Sequence, residues 1–214
     1  MIEACLFDLD GVIVDTAKYH YLAWKRLANE LGFDFTEHDN ERLKGVSRVR
    51  SLEILLEIGG VSVGAAEFDQ LAAKKNAWYV DMISHMDESE VLPGARAFLE
   101  SCRAAGIKTA LGSASKNAMT ILRNIRMVEC FDAIIDGNRT SAAKPDPEVF
   151  LLGARELGVA PDRCVVFEDA EAGVEAALRA GMACVGIGSP ATLGRAHVVV
   201  SGLAEMRLDR LPRL

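Results

Sequence analysis

The sequence predicts an α/β protein in which a parallel sheet is flanked by helices and interrupted by an all-helical insertion. Short apolar segments alternate with amphipathic helical patterns over most of the chain, which is typical of a parallel sheet covered on both faces. The alternation breaks between residues 15 and 90, where helical patterns follow one another with no convincing strand between them. A chain of 214 residues has room for one such domain with an insertion.

Each predicted strand is a short apolar segment that ends at polar residues or glycine. The first runs from Ile2 to Phe7 and is followed directly by Asp8 and Asp10, as expected of a buried strand that ends at a functional edge of the sheet. The remaining strands are predicted at Ile107–Leu111, Ala133–Ile135, Val165–Phe167, Ala183–Ile187 and His197–Val200.

The helices between these strands are predicted from their caps and terminators. One begins with Asp146 as N-cap and Pro147 at the first helical position, and it ends near Gly158. The others are predicted at Ala95–Ala105, from Ala118 to about Arg126 and from about Gly173 to Ala180.

The insertion contains four predicted helices. In the first, apolar and aromatic residues from Ala17 to Leu31 recur on one helical face, and Gly32 ends the helix. The other three are predicted after a cap at Thr36, from a cap at Ser47 to Ile58, and from Ala65 to about Met86. Residues 1–14 and 91–214 therefore form the predicted core domain, and residues 15–90 form a helical cap.

Composition and charge exclude some partners. The net charge of −7 argues against a basic nucleic-acid surface, although a few local cations can still attract an anionic substrate. No segment has the roughly 18–20 uncharged apolar residues of a membrane span, and the N-terminus lacks a signal-peptide pattern. The five scattered cysteines are interpreted as small, buried apolar residues in a reducing compartment rather than as disulfides or metal ligands. We therefore expect a cytoplasmic protein without nucleic-acid or membrane partners, and nothing demands more than a monomer.

Carboxylates follow two of the predicted strands. Asp8 and Asp10 end the first strand, and Glu168 and Asp169 end the strand at Val165–Phe167. The carboxyl ends of parallel strands are where open α/β sheets bind ligands, and hard carboxylate oxygens suit Mg²⁺. An acidic turn without a function is the alternative interpretation of each pair.

Two further motifs follow strands or precede helices. Ser113, Ala114 and Ser115 form a turn of small residues between a strand and a helix, where hydroxyl and backbone N–H groups can bind phosphate oxygens. Pro145 forces Lys144 towards an extended backbone, so that its ammonium can neutralise a phosphate and a neighbouring aspartate. A plain capped turn and a solvated surface lysine are the respective alternatives.

Each motif is weak alone, but all four occur in order at predicted strand ends. In this arrangement the sequence resembles the haloacid dehalogenase superfamily along essentially its whole length. The resemblance implies a Rossmann-like core with an inserted C1-type cap. The loop from Asp136 to Arg139 departs in composition from the family pattern.

The resemblance implies phosphoryl transfer with covalent catalysis. Asp8 would be the nucleophile that becomes an aspartyl-phosphate, and Asp10 would be the general acid-base. Mg²⁺ would be held by Asp8, the backbone carbonyl of Asp10 and Asp169, with Glu168 in the same acidic cluster. The remaining phosphoryl oxygens would be bound by Ser113 and Lys144.

The insertion carries residues that can contact a phosphorylated substrate. The predicted substrate-binding residues of the insertion are Thr16, His20, Trp24, Lys44, Gly45, Val46, Ser47, Arg48, Lys75 and Asn76, and those of the core are Ser113, Ala114, Ser115 and Lys144. Gly45 permits a tight turn, and the planar guanidinium of Arg48 can hold a second phosphate. For His20 and Trp24, packing within the cap is the alternative.

These cap motifs resemble the sugar-phosphate mutases of the superfamily. Such enzymes interconvert β-D-glucose 1-phosphate and β-D-glucose 6-phosphate through β-glucose 1,6-bisphosphate, which also serves as the phosphoryl primer. A sugar-phosphate phosphatase with the same core is the alternative function. A non-catalytic binding protein is disfavoured, because it would not need a general acid beside the nucleophile.

Overall fold

The computed structural model describes residues 1–212 and contains one six-stranded sheet. All neighbouring strands are parallel, in the order β3-β2-β1-β4-β5-β6. The strands are β1 (Ala4–Phe7), β2 (Lys108–Gly112), β3 (Ala133–Ile135), β4 (Cys164–Glu168), β5 (Ala183–Ile187) and β6 (Val198–Val200). The predicted parallel sheet is confirmed, and every predicted strand lies within two residues of an observed one.

Helices cover both faces of the sheet and form the insertion. Those of the core are α5 (Ala95–Ala104), α6 (Ala118–Asn124), α7 (Glu148–Leu157), α8 (Glu171–Arg179) and the short α9 (Pro190–Leu193). The insertion between β1 and β2 contains α1 (Ala17–Glu30), α2 (Glu37–Glu41), α3 (Arg48–Gly59) and α4 (Ala65–Ser84). None of the helices within residues 1–212 is long and apolar enough to cross a membrane.

Strands β1, β4 and β5 are fully buried because side chains on both faces of the sheet pack against helices. Along β1, Cys5 and Phe7 belong to the apolar cluster on one face, whereas Ala4 and Leu6 belong to the cluster on the other. This alternation follows from the two-residue period of a strand. It explains why the strands read as continuous apolar segments in the sequence.

Helix starts in the insertion follow the predicted caps. The Thr36 hydroxyl accepts from the Asp39 backbone N–H in a capping box, and the Ser47 hydroxyl accepts from the Arg50 N–H at the start of α3. One start in the core differs from the prediction. Because α7 begins at Glu148, Pro147 precedes the helix rather than occupying its first position.

The insertion leaves and rejoins the core at neighbouring points. Val14 and Val91 form an isolated antiparallel bridge, and the Leu92 N–H donates to the Ile13 carbonyl at 2.9 Å. The insertion has its own apolar core around Trp24, which is separate from the two clusters on the sheet. The division into domains at residues 14/15 and 90/91 stays a prediction.

Candidate active site

Strand pairing brings the two predicted acidic motifs together. The register aligns Phe7 of β1 with Phe167 of β4, and their rings stack with centroids 4.7 Å apart. The Asp8 backbone N–H continues the ladder by donating to the Phe167 carbonyl at 3.0 Å. Asp8 and Glu168 consequently lie side by side at the carboxyl edge of the sheet, where the strand order changes direction.

Lys144 joins these two carboxylates. Its ammonium lies 2.5 Å from Asp8 Oδ1 and also binds Glu168, and only 1% of its side chain is exposed. Burial lowers the pKa of Lys144, but the charges of Asp8 and Glu168 outweigh that effect and raise it above its usual value. Lys144 therefore stays charged and offsets part of the negative charge of the site.

Three carboxylates form a group that suits a divalent cation. Oxygens of Asp8, Glu168 and Asp169 all lie within 4.8 Å of one another. Burial and the neighbouring carboxylates raise the pKa of Glu168 to about 7 and that of Asp169 well above its usual value. Hard oxygen donors that repel one another in this way fit Mg²⁺, which relieves the repulsion.

Glycines make this close approach possible. Gly11 has a φ of +80°, and a β-carbon at this position would overlap the carboxylate of Asp169. A β-carbon at Gly173, in the first turn of α8, would overlap the carboxylate of Glu168. The observed positions of the Asp169 and Glu168 carboxylates therefore require glycine at residues 11 and 173.

The Asp10 carboxylate lies outside this group of three. It accepts a hydrogen bond from the Thr16 hydroxyl, and its Oδ2 atom is 4.0 Å from His20 Nε2. Burial and the charge of Asp8 raise the pKa of Asp10 to about 7, although Lys144 and Lys75 oppose the shift. A carboxyl group with a pKa near neutrality can both donate and accept a proton, and the backbone carbonyl of Asp10 stays a predicted metal ligand.

The turn after β2 forms another wall of the site. Ser113 is buried, and its hydroxyl accepts from the Ser115 N–H at 3.1 Å. The loop after β3 supports this turn, because the Gly137 N–H donates to the Ser115 carbonyl at 3.1 Å. The buried carboxylate of Asp136 in turn accepts from the Asn138 N–H at 3.0 Å.

A cavity of about 520 Å³ lies between the sheet edge and the insertion. It is large enough for a small phosphorylated sugar. The predicted site residues that line it are Asp8, Asp10, His20, Trp24, Lys44, Gly45, Val46, Ser47, Arg48, Lys75, Asn76, Ser113, Ala114, Ser115, Lys144 and Asp169. Two predicted residues do not line it: Thr16 is fully buried beside Asp10, and Glu168 is fully buried behind Lys144.

The insertion contributes a buried cationic and aromatic cluster. Lys75 Nζ lies 2.9 Å from His20 Nδ1, 4.4 Å from the ring centroid of Trp24 and 4.7 Å from that of Tyr79. Burial and repulsion by Arg48 lower the pKa of Lys75 to about 7. Burial, Lys75 and Arg48 also hold the pKa of His20 well below its usual value.

Arg48 differs from its neighbouring arginines in the insertion. Arg50 pairs with Glu53 at 2.9 Å and with Glu57 at 3.1 Å, and Arg42 also pairs with Glu57. Arg48 lines the cavity and makes no ion pair with any of residues 1–212. Its guanidinium is therefore available to an anion.

Two of the contacts between the insertion and the core lie beside the cavity. The Asn117 amide donates to the Asn76 side-chain oxygen at 3.0 Å. The backbone at Gly45 packs so closely on Ala170 that a β-carbon there would lie 2.9 Å from that methyl group. Asn76 was predicted as a substrate contact, and in this structure its side-chain oxygen is bonded to the core.

Several lining residues were missed by the sequence prediction. Lys116 and Asn117 line the cavity directly after the Ser113 turn, and residues 140–143 line it directly before Lys144. The sequence signal that could have identified them is their position, because each adjoins a motif already predicted to lie at the site. Tyr79 does not line the cavity but was also missed: its ring packs on that of His20 with centroids 4.0 Å apart, a contact that only the pairing of α1 with α4 reveals.

This fold and site define the class of protein. The family model for haloacid dehalogenase-like hydrolases matches residues 2–181. The chain therefore belongs to the haloacid dehalogenase-like hydrolase family.

Particular members of the family are similar over nearly the whole chain. A β-phosphoglucomutase from Bacillus subtilis is 42% identical over 98% of this chain and 94% of its own length. The crystal structure of a β-phosphoglucomutase from Clostridium difficile has a TM-score of 0.94 and 41% identity, covering 98% of this chain and 95% of that one. A phosphorylated carbohydrates phosphatase from Thermotoga maritima is 33% identical, covering 85% of this chain and 82% of the phosphatase.

Proposed function

We propose that this chain is a phosphomutase that interconverts β-D-glucose 1-phosphate and β-D-glucose 6-phosphate through β-glucose 1,6-bisphosphate. The observation that carries the proposal is a covered cavity with cations on both walls. Lys144 lies beside Asp8 at the sheet edge, and the unpaired Arg48 lies in the insertion. A substrate with a phosphate at each end matches this arrangement. The β-phosphoglucomutases among its relatives support the same conclusion.

Asp8 is the nucleophile in this proposal. One of its carboxylate oxygens attacks phosphorus, a new O–P bond forms, and the bond from phosphorus to the sugar oxygen breaks. Lys144 stabilises the charge on the transferring phosphoryl group, and Ser113 binds one of its oxygens. The product of the step is an aspartyl-phosphate on Asp8 and a sugar with a free hydroxyl.

A magnesium ion would be held by Asp8 and Asp169, by the backbone carbonyl of Asp10, and by Glu168 directly or through water. Bound there, it would supply electrostatic shielding between the attacking carboxylate and the anionic substrate. The mutual repulsion of the three carboxylates is the feature of this structure that favours such an ion.

Asp10 moves the proton. It donates a proton to the leaving sugar oxygen in the first step, and it accepts one from the attacking hydroxyl in the second. A group with a pKa of about 7 can do both at neutral pH.

The insertion decides which acceptor attacks the aspartyl-phosphate. With Gly45 against Ala170 and Asn76 bonded to Asn117, the cavity is covered, which favours a bound sugar hydroxyl over water. Transfer to the free hydroxyl of a bound monophosphate yields the bisphosphate. After the bisphosphate turns end over end, Arg48 holds the phosphate that Asp8 does not contact. Glucose 1,6-bisphosphate from solution primes the cycle by phosphorylating Asp8. We also expect the protein to be a monomer in the cytoplasm.

Phosphorus NMR tests the proposal directly. The protein is mixed with β-glucose 1-phosphate, Mg²⁺ and a trace of the bisphosphate, and the phosphorus resonances are followed with time. Conversion to glucose 6-phosphate with little inorganic phosphate is the expected result. Stoichiometric release of phosphate would instead establish the alternative, a sugar-phosphate phosphatase. No turnover of any phosphomonoester would contradict both.

A further inference from the structure

The loop after β3, which departs from the family pattern in composition, contains a buried carboxylate. Asp136 is 6% exposed and makes no ion pair with any of residues 1–212. Both of its carboxylate oxygens are bonded by one residue. Oδ1 accepts from the Asn138 backbone N–H, and Oδ2 accepts from the Asn138 side-chain amide, each at 3.0 Å. Because a buried carboxylate requires hydrogen bonds, Asp136 fixes the position of the Asn138 side chain.

The Asn138 amide also reaches the turn that lines the cavity. It donates to the Lys116 backbone carbonyl at 3.0 Å. A primary amide has two N–H donors, so one can bind Asp136 while the other binds Lys116. No backbone N–H among residues 1–212 binds this carbonyl. Asn138 therefore fixes the orientation of the Lys116 peptide group, which regular secondary structure does not hold.

Gly137 lies between these two residues of the loop and packs on the same turn. Its N–H donates to the Ser115 carbonyl at 3.1 Å. A β-carbon at Gly137 would lie 2.3 Å from the Ala114 carbonyl oxygen and 3.2 Å from Lys116 Cγ. The stem of the lysine therefore occupies the space that the glycine leaves open. One short loop thus contacts both the carbonyl and the side-chain stem of Lys116.

The Lys116 ammonium is available to an anion. Lys116 lines the cavity, and its ammonium makes no hydrogen bond or ion pair with any of residues 1–212. The next residue, Asn117, is bonded to Asn76 of the insertion, so Lys116 lies where the core wall meets the insertion. Ordering a free lysine side chain costs up to about 2 kcal/mol. A lysine whose backbone and stem are already fixed loses less freedom when it binds a phosphate.

We propose that Asn138 is a positioning residue for substrate binding, because its amide joins Asp136 to the Lys116 carbonyl and so directs the Lys116 ammonium into the cavity. Asn138 does not itself line the cavity. The inference rests on the proposed sugar-phosphate substrate. It does not depend on whether a sugar hydroxyl or water finally accepts the phosphoryl group.

Asn138→Ala is the main test, because it removes the amide and keeps the backbone N–H that binds Asp136. We expect KM for β-glucose 1-phosphate to rise about three- to tenfold, as for the loss of one hydrogen bond, with kcat changed less than about twofold. Arg139→Ala is the matched control. Arg139 is the next residue of the loop, but it binds the Ile134 carbonyl and Glu156, so KM should not change. A KM change below about twofold in Asn138→Ala, or equal changes in both variants, would overturn the proposal.

An exchange of two side chains separates positioning from stability. When Asp136→Asn is combined with Asn138→Asp, an amide at position 136 can donate to a carboxylate at position 138, but no N–H faces the Lys116 carbonyl. We expect a thermal unfolding midpoint nearer to the wild type than that of Asn138→Ala, with KM still raised at least about threefold. A wild-type KM in the exchanged variant would overturn the proposal. So would a KM that follows the unfolding midpoint across the variants.

The Lys116→Met background tests whether Asn138 acts through the lysine. Lys116→Met alone should raise KM about 10–100-fold, because a charged hydrogen bond to the substrate is lost. With no ammonium to direct, adding Asn138→Ala should raise KM less than about twofold further. A full further increase would show that Asn138 acts by another route. An unchanged KM in Lys116→Met would remove the lysine from substrate binding, and either result contradicts the proposal.

Binding of glucose 6-phosphate, measured by calorimetry, needs no turnover. Asn138→Ala should weaken it by the same factor of about three to ten. If the wild type binds this sugar phosphate but does not convert it, the proposed function fails, while the two affinities still decide the role of Asn138. Equal affinities of the variant and the wild type, or no binding by the wild type, would overturn the inference.

Discussion

Lys75→Met is expected to stabilise the protein at neutral pH. Lys75 is 2% exposed, has His20 as its hydrogen-bonding neighbour, and makes no ion pair with any of residues 1–212. Its pKa falls from the usual 10.5 to about 7, because the charged form is poorly solvated and repelled by Arg48. A shift of one pKa unit corresponds to about 1.4 kcal/mol of free energy. Burying this lysine therefore costs the folded state roughly 4 kcal/mol at neutral pH.

The sign of the pH dependence follows from proton binding. Between about pH 7 and its usual pKa of 10.5, Lys75 carries a proton in the unfolded chain and has largely lost it in the folded chain. The unfolded state binds more protons, so raising the pH stabilises the wild type relative to the methionine variant. The advantage of Lys75→Met should shrink by about 2 kcal/mol between about pH 7 and about pH 9.

Urea unfolding at both pH values measures this change. Lys74→Met is the matched control, since Lys74 is the preceding residue of α4 but is exposed and paired with Glu30. Its effect on the free energy of unfolding should be within about 0.5 kcal/mol at both pH values. The reasoning fails if Lys75→Met destabilises the protein at pH 7, or if its effect is the same at pH 9.

Four further expectations concern the phosphoryl site. Asp8→Asn should lower kcat at least about a thousandfold in the NMR assay, because an amide cannot form the aspartyl-phosphate. Arg48→Ala should lower kcat/KM for the bisphosphate about 10–100-fold, because the variant loses a charged hydrogen bond to the second phosphate. The effect on a small aryl phosphate, which has no second phosphate, should be smaller. Lys144→Met should lower the free energy of unfolding by about 3–5 kcal/mol in metal-free buffer, since two buried carboxylates lose their cation. Excess Mg²⁺ should raise the thermal unfolding midpoint of the wild type but not that of Asp169→Ala.

Each of these has a result that contradicts it. If Asp8→Asn turned over substrate at nearly the wild-type rate, the nucleophile would have to be another residue. Arg50→Ala is the control for Arg48, because Arg50 is engaged with Glu53, and equal losses for the two variants would remove the second phosphate site. A change below about 1 kcal/mol for Lys144→Met would mean that its ion pairs are not coupled to folding. A midpoint insensitive to Mg²⁺ in the wild type would disprove the metal site.

The positions of the candidate site motifs at strand ends were predictable from the sequence. Apolar segments that end at Asp8, Ser113 and Glu168 specify strands and their exits, because burial on both faces and turn chemistry are local properties of the chain. The following proline restricts the backbone of Lys144, but the sequence alone left a solvated surface lysine as an alternative to its observed contacts with Asp8 and Glu168. The insertion was evident because its helical period replaces the strand pattern.

Only the tertiary structure decided how these groups are partnered. Lys75 meets His20 across 55 positions of sequence, and Tyr79 stacks on His20 through the same packing of α4 on α1. The register of β1 on β4 places the carboxylates of Asp8 and Glu168 around one lysine. Periodicity shows which face of a helix is apolar, but not which residue of another helix will face it. The pairing of polar groups therefore depends on packing that no local pattern specifies.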